Sequence, residues 1–216
     1  MRVFKCILIG LGLFISSASF GQDAKTVLDK LSKKVKSYTS IHAEFSMKIV
    51  DDKEGGDVVN TSGTATIQGE KFKLLMDDYH LYCDGTTLWT YDTENNGCVI
   101  NDYEEMQDEQ DISPSELFTI WEKGFKQEHK GTVTEDGVSY TKINLYPTDK
   151  DAEFHTITLL IDESKMELKK ATIKSNDGQT MTYTIKSFTP NKEVSDADFT
   201  FKKADHPGCE CDDQRF

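Results

Sequence analysis

The chain is predicted to be a mainly β protein with helices. Three observations predict this: apolar residues alternate with polar ones along one run after another, Gly-containing turn dipeptides separate the runs, and helix signals occur in only two places. The clearest run has Ile41, Ala43, Phe45, Met47 and Ile49 alternating with His42, Glu44, Ser46 and Lys48. A period of two puts the first set on an apolar face and the second in water.

Further strand-like runs follow: Val58 to Gln68, Lys71 to Met76, Tyr79 to Cys83, Thr87 to Tyr91 and Gly97 to Asn101. A second series comprises Phe125 to Thr134, Val138 to Tyr146, His155 to Ile161, Leu168 to Lys174 and Met181 to Phe188. Asp84-Gly85, Asn96-Gly97, Asp136-Gly137 and Asp177-Gly178 are hairpin dipeptides, because Gly, Asn and Asp tolerate the positive φ that tight turns demand. The expectation is about eleven antiparallel strands forming a barrel or sandwich.

Two helices are expected. Ala24, Val27, Leu28, Leu31 and Val35 follow Asp23 at helical spacing, and Lys25, Lys30, Lys33, Lys34 and Lys36 mark the opposite face. Between the two strand series, Ser113 and Glu116 form a capping box, Pro114 takes the first helical position and Gly124 can end the segment. Its body, Leu117, Phe118, Ile120 and Trp121, is apolar enough to require an apolar receiver. That body can be a plug in the core or a lid over a cavity.

Residues 1–21 have the parts of a cleaved export signal. Arg2 and Lys5 are basic, Cys6 to Ile15 is apolar, and Ser19 and Gly21 place small residues before a cut at Gln22. The apolar run is too short for the roughly 20 residues of a membrane-spanning helix. Residues 22–216 are expected to form one domain, soluble and monomeric in the periplasm. Losing Arg2 and Lys5 reduces the 25 basic side chains to 23 against 38 acidic ones, and the formal charge moves from −13 to −15. Such a balance opposes nucleic-acid phosphates and anionic surfaces.

Chemistry-bearing patterns are sparse. There is no nucleophile elbow, H-E-x-x-H pair, Walker loop or dinucleotide fingerprint, and His42, His80, His129, His155 and His206 are scattered. No catalysis and no cofactor are expected. Cys83, Cys98, Cys209 and Cys211 are bound for an oxidising compartment, so at least one disulfide is expected among them, with three connectivities open. A metal site among His206, Cys209, Cys211, Asp212 and Asp213 is the lesser alternative.

Ala43, Phe45, Met47, Ile49, Phe72, Leu74, Met76, Ile157, Leu159, Ile161, Met181, Tyr183 and Ile185 form an apolar inventory too large to leave in water. They are the candidate lining of a cavity, together with Leu88 and Trp89.

The run Gly69-Glu70-Lys71-Phe72-Lys73-Leu74, followed by Cys83-Asp84-Gly85-Thr86-Thr87-Leu88-Trp89-Thr90-Tyr91, resembles the strand and D-G-x-x-L-W-x-Y hairpin of the periplasmic outer-membrane lipoprotein carriers, the LolA-like family. Phe199-Thr200-Phe201, Pro207-Gly208 and Asp212-Asp213-Gln214-Arg215 are similar to that family's closing segment. The resemblance implies an unclosed antiparallel barrel with a helical lid over an apolar cavity. It also implies a carrier that takes acylated lipoproteins from an inner-membrane ABC transporter to an outer-membrane receptor. Gly69-Glu70 stands where family members carry an Arg-Pro step that latches the lid. A lipid or glycolipid shuttle, or a lipoprotein-sensing regulator, on the same fold is the alternative function.

Overall fold

The computed structural model describes residues 20–51, 56, 58–104 and 118–215. Helix α1 (Phe20–Val35) leads into β1 (Ile41–Asp51), β2 (Val58–Gln68), β3 (Lys71–Met76), β4 (Tyr79–Cys83), β5 (Thr87–Asp92) and β6 (Gly97–Asp102). After the insertion come β7 (Phe125–Glu135), β8 (Val138–Pro147), β9 (Phe154–Asp162), β10 (Glu167–Ser175), β11 (Gln179–Pro190) and a short β12 (Glu210–Asp213). All twelve join one sheet in the order β12-β6-β5-β4-β3-β2-β1-β11-β10-β9-β8-β7. Among the described residues β7 and β12 do not pair with each other, so the sheet is open, as expected.

Eleven strands are antiparallel and follow the expected runs. The twelfth was not anticipated. It pairs parallel to β6, Cys211 opposite Cys98 and Asp213 opposite Ile100. The tight turns form where the dipeptides foretell them: Asp136 and Gly137 both adopt positive φ, 51° and 77°, joining β7 to β8.

Bulges keep the apolar face continuous. β10 skips a partner between Leu168 and Lys170, and β1 meets β11 with a shift at Glu44/Phe45. The first shift lets Leu168, Ala171 and Ile173 share a face that strict alternation would split.

That face carries two buried clusters. In the first, Ala24, Val27, Leu28 and Leu31 of α1 pack with Trp121 on Ile143, Leu145, Ile157, Leu159, Ile161, Leu168, Ala171 and Ile173. In the second, Ile41, Ala43 and Phe45 meet Ala65, Ile67, Phe72, Met76, Cys83, Leu88, Tyr103, Phe118 and Ile185. A third cluster, of Tyr91, Cys98, Phe201 and Cys209, lies on the opposite face beneath the C-terminal segment.

Ser113, Pro114, Glu116 and Leu117 lie outside the described residues. The described end of the insertion departs from the α-helical expectation: Phe118 and Thr119 form a turn, and Ile120–Glu122 is a single 3-10 turn that gives way to extended chain at Lys123. The cause is Trp121, which is 1% exposed within the α1 cluster, with its indole N–H donating to Ser32 Oγ at 2.7 Å. Gln127 Nε2 donates to the Trp121 carbonyl at 2.8 Å, and Lys36 pairs with Glu122 at 2.6 Å. These contacts tie the root of the insertion to α1. The Gly69-Glu70 step instead sits in the tight turn between β2 and β3, with Gly69 at φ 61°.

Trp121→Ala should cost about 3–5 kcal/mol, and Trp121→Phe, which keeps most of the volume but loses the indole N–H bond to Ser32, about 1 kcal/mol. Urea unfolding of both variants checks this.

Two turn carboxylates make stability depend on acid. Burial opposes ionisation of Asp84, but N–H bonds from Thr87 (2.8 Å) and Thr86 (2.9 Å) outweigh it and lower its pKa. Asp162 is lowered by the Ser164 hydroxyl at 2.6 Å, against burial and with help from the Ser164 and Lys165 N–H groups. A pKa lower folded than unfolded stabilises above the unfolded value, about 3.9, and the stabilisation is lost as pH falls through the folded value. Urea midpoints should therefore drop below about pH 4, and Asp84→Asn should lower the neutral-pH midpoint while flattening part of that drop.

Candidate functional site

Helix α1 lies over β7 to β10, and over the face formed by β1, β2, β3 and β11 the helical residues among those described are Tyr103 and Glu104, with Tyr103 buried against Phe72. There the side chains do not fill the space, and a cavity of about 550 Å³ remains. Register explains who lines it. Ala43 sits opposite Ala65, which sits opposite Leu74; Phe45 sits opposite Gly63, which sits opposite Met76. On the other side Phe45 faces Ile185 and Met47 faces Tyr183.

Ala43 and Ala65 are the small residues of its lining, and Gly63 lies next to them under Phe45. Gly63 has no room for a side chain, because a Cβ there would come within 2.5 Å of the Leu75 carbonyl oxygen and 2.9 Å of Phe45 Cζ. Ala43 and Ala65 keep the neighbouring floor low. The walls are Phe45, Met47, Met76, Met181, Tyr183 and Ile185, with Phe118 closing from the insertion. Three methionines give this wall several low-energy shapes.

Apart from the Tyr183 phenol, polar side chains in the lining are Tyr79, Asp149 and Glu153, beside Ala152 and Phe154. Burial, with a smaller contribution from Tyr79, raises the Tyr183 pKa, so this phenol stays neutral and adds no charge to the wall. Such a site can hold hydrocarbon. It offers no nucleophile with an adjacent base among its lining side chains.

Ala43, Phe45, Met47, Leu74, Met76, Met181, Tyr183, Ile185 and Phe118 thus come together around one space. Ile157, Leu159 and Ile161 share the face but are sealed under α1, with Ile120 and Trp121 packed there too. Phe72 and Leu88 are buried in the second cluster. Ile49 lies on the same face opposite Val59 and Met181, outside the cavity lining.

Trp89 is a correction: it sits opposite Tyr82 and packs with Tyr91 and Phe201 on the other face of the sheet. Its neighbour Leu88 takes the inner position, and a strand cannot point both inward.

Three strand positions and one loop escaped the sequence reading. Ala65 and Ile173 lie in phase with Ile67 and Ala171, so alternation could have found them. Tyr79 is in phase with Leu81. The segment from Asp149 to Phe154 carries no periodic signal. Among the described residues the cysteines are thiols in this structure, with Cys83 on the inner face and Cys98, Cys209 and Cys211 together on the outer face where the C-terminal segment returns.

Ala65→Phe should fill the floor of the cavity. A fluorescent fatty-acid probe should lose about tenfold or more in affinity, while the urea midpoint moves little, because the added ring enters empty space rather than packed core.

Residues 36–202 match the family model described as outer membrane lipoprotein carrier protein LolA. The chain is 22% identical to the outer-membrane lipoprotein carrier protein of Pseudoalteromonas translucida, over 99% of this chain and 98% of that protein. It is 28% identical to the protein of the same description from Wigglesworthia glossinidia brevipalpis, over 86% of this chain and 85% of that one. Among solved structures, an uncharacterized conserved protein from Thermus thermophilus shares the fold, with a TM-score of 0.59 and 11% identity, over 89% of this chain and 100% of that chain. With an open antiparallel sheet, an apolar cavity and a family match running from the end of α1 past β11, the chain belongs to the LolA outer membrane lipoprotein carrier family.

Proposed function

We propose that this protein is a periplasmic carrier that encloses acyl chains of lipoproteins and moves them from the inner to the outer membrane. The observation that carries the reading is the cavity of about 550 Å³ with an apolar wall of strand residues. Each methylene that leaves water contributes about 0.8 kcal/mol, so a lipidated protein crosses an aqueous space only when its chains are covered. A cavity of this size lies in the usual range for small hydrophobic ligands.

Residues 1–21 act as the export signal in this reading, and no helix among the described residues is long and apolar enough to cross a membrane. An inner-membrane lipoprotein-exporting ABC transporter supplies the cargo and an outer-membrane receptor accepts it. The insertion serves as the lid. Phe118 presents contacts to the cavity that an acyl chain can replace with similar ones, so open and closed states differ little in energy and release needs no nucleotide.

Phe45→Glu places a charge against the acyl chains, a burial that is costly without a partner. Native mass spectrometry of wild type from its own periplasm should show a bound acylated species, and Phe45→Glu should lose at least about 90% of it; Glu44→Ala, on the wet face, should retain it. Folded Phe45→Glu protein that still carries lipoprotein normally removes this cavity as the site. Co-purified lipid without any lipoprotein would assign the protein to lipid or glycolipid shuttling instead.

A further inference from the structure

The four cysteines among the described residues divide by face. Cys83 in β4 lies opposite Phe72 and Leu88, on the cavity side. Cys98 in β6 lies opposite Tyr91, on the other side. Leu88 and Asn101 are partners on the inner face, and Cys98 stands an odd three residues from Asn101, so the sheet separates Cys98 from Cys83. Cys83 cannot reach any of the other three thiols.

Cys98, Cys209 and Cys211 gather where the C-terminal segment returns. Cys211 is the direct register partner of Cys98 across the parallel β6–β12 pair. Cys209 lies beside them in the same buried cluster, and the thiols of Cys98 and Cys209 donate to the carbonyls of Val99 and Glu210 at 3.8 and 3.7 Å. Among the described residues no group of three side chains is arranged to hold a metal ion.

We propose that Cys98 and Cys211 form a disulfide that fastens the last strand to β6, made and broken through Cys211, while Cys83 and Cys209 remain thiols. Neighbouring strands lie about 4.8 Å apart, inside the 4.4–6.8 Å Cα range that disulfides span. Cys209 is displaced from Cys98 by two residues along the strand, which puts their Cα atoms about 8 Å apart, too far for a bond. Cys209 and Cys211 stand about 6.6 Å apart along one chain, against a Cβ separation of roughly 4 Å in a disulfide. β12 is an edge strand of four residues and can yield the small shift that Cys98 and Cys211 need.

Access selects the entry thiol. Cys211 is half-buried, whereas Cys98 and Cys209 are buried. With oxidised glutathione as oxidant, the Cys211 thiolate attacks one glutathione sulfur. The glutathione S–S bond breaks, one glutathione leaves as thiolate and takes up a proton, and Cys211 is left in a mixed disulfide. The Cys98 thiol then loses its proton to solvent and attacks Cys211 Sγ, expelling the second glutathione. Two protein thiols are oxidised by two electrons, and one glutathione disulfide is reduced to two thiols.

Burial, together with the neighbouring Cys211 thiol, pushes the Cys98 thiol up to about 12. The second step is therefore slow near neutrality, and its rate should rise about tenfold per pH unit between pH 7 and 9.

The bond has a mechanical role. Beyond the strand pairing itself, the end of the chain is held by the Gln214 N–H to the Ile100 carbonyl and by Arg215, which pairs with Asp213 and donates to Thr87 Oγ1. These are surface contacts of modest strength. A covalent link there closes a loop of more than a hundred residues, near the largest constraint on the unfolded chain that a single bridge gives. This inference does not rest on the carrier reading.

The test uses the reduced full chain, incubated with oxidised glutathione, then alkylated and peptide-mapped. Expected are a Cys98–Cys211 cross-link, alkylated Cys83 and Cys209, and a melting midpoint higher by about 5–12 °C. C-terminal trimming by carboxypeptidase should slow at least tenfold and recover with dithiothreitol. Cys211→Ser should abolish the link and the shift, and Cys209→Ser should keep both. Four alkylated thiols, a link through Cys83 or Cys209, or a cross-link without a gain in midpoint or protection overturns the proposal.

Discussion

Among the described residues one long helix, α1, lies on the apolar face of a very wide sheet, and it cannot cover all of it. A helix of 16 residues is about 24 Å long and about 10 Å across, whereas twelve strands at about 4.8 Å spacing span more than 50 Å. α1 therefore seals the β7 to β10 region, and the rest of the apolar face must find other cover. Trp121 extends the helix-covered cluster from one side, and Phe118, three residues earlier, belongs to the other. The same short segment thus stands at the border between solid core and hollow.

The hollow survives because Ala43 and Ala65, in its lining, are too small to fill it, and because Gly63 beside them leaves room for the Phe45 ring. Gly63, Ala43 and Ala65 lie side by side across β1 and β2, and the Phe45 ring comes close enough to Gly63 that even a methyl group would collide. Charge plays little part there. Ion pairs such as Lys25 with Asp29 and Lys71 with Asp196 are exposed at one or both ends and involve no residue of the cavity lining, so they contribute little to holding it open. What distinguishes the cavity from the core is side-chain size at a few strand positions.

Much of this was legible in the amino-acid order, because a period of two commits residues to a face before any partner is known. Phe45, Met47, Leu74, Met181 and Ile185 were placed on the right side for that reason. Alternation does not say which neighbour covers a face, so Leu159 under α1 and Met181 beside the cavity look alike in sequence. Trp89 was misplaced because β5 is apolar on both sides, Leu88 inward and Trp89 with Tyr91 outward, and the outer side is covered by the sequence-distant C-terminal segment through Phe201, His206 and Cys209. β12 was invisible for a different reason. Glu210, Cys211, Asp212 and Asp213 have no alternation to detect, and their parallel partner lies more than a hundred residues back.

The strand order has a consequence for how the chain reaches this state. β1 to β6 form one run of neighbouring hairpins and β7 to β11 another, joined in the sheet only where β1 meets β11. Within each run the pairings are local and close quickly. The seam brings Ile41 beside Pro190 and Asp51 beside Gln179, and must close across most of the chain length. The cavity straddles that seam, with Phe45 and Met47 on one side and Tyr183 and Ile185 on the other. Each half can acquire its hairpins while owning only part of a wall. The apolar cavity comes into being in the least local step of assembly, and a chain stalled before that step exposes both greasy half-walls to whatever it meets.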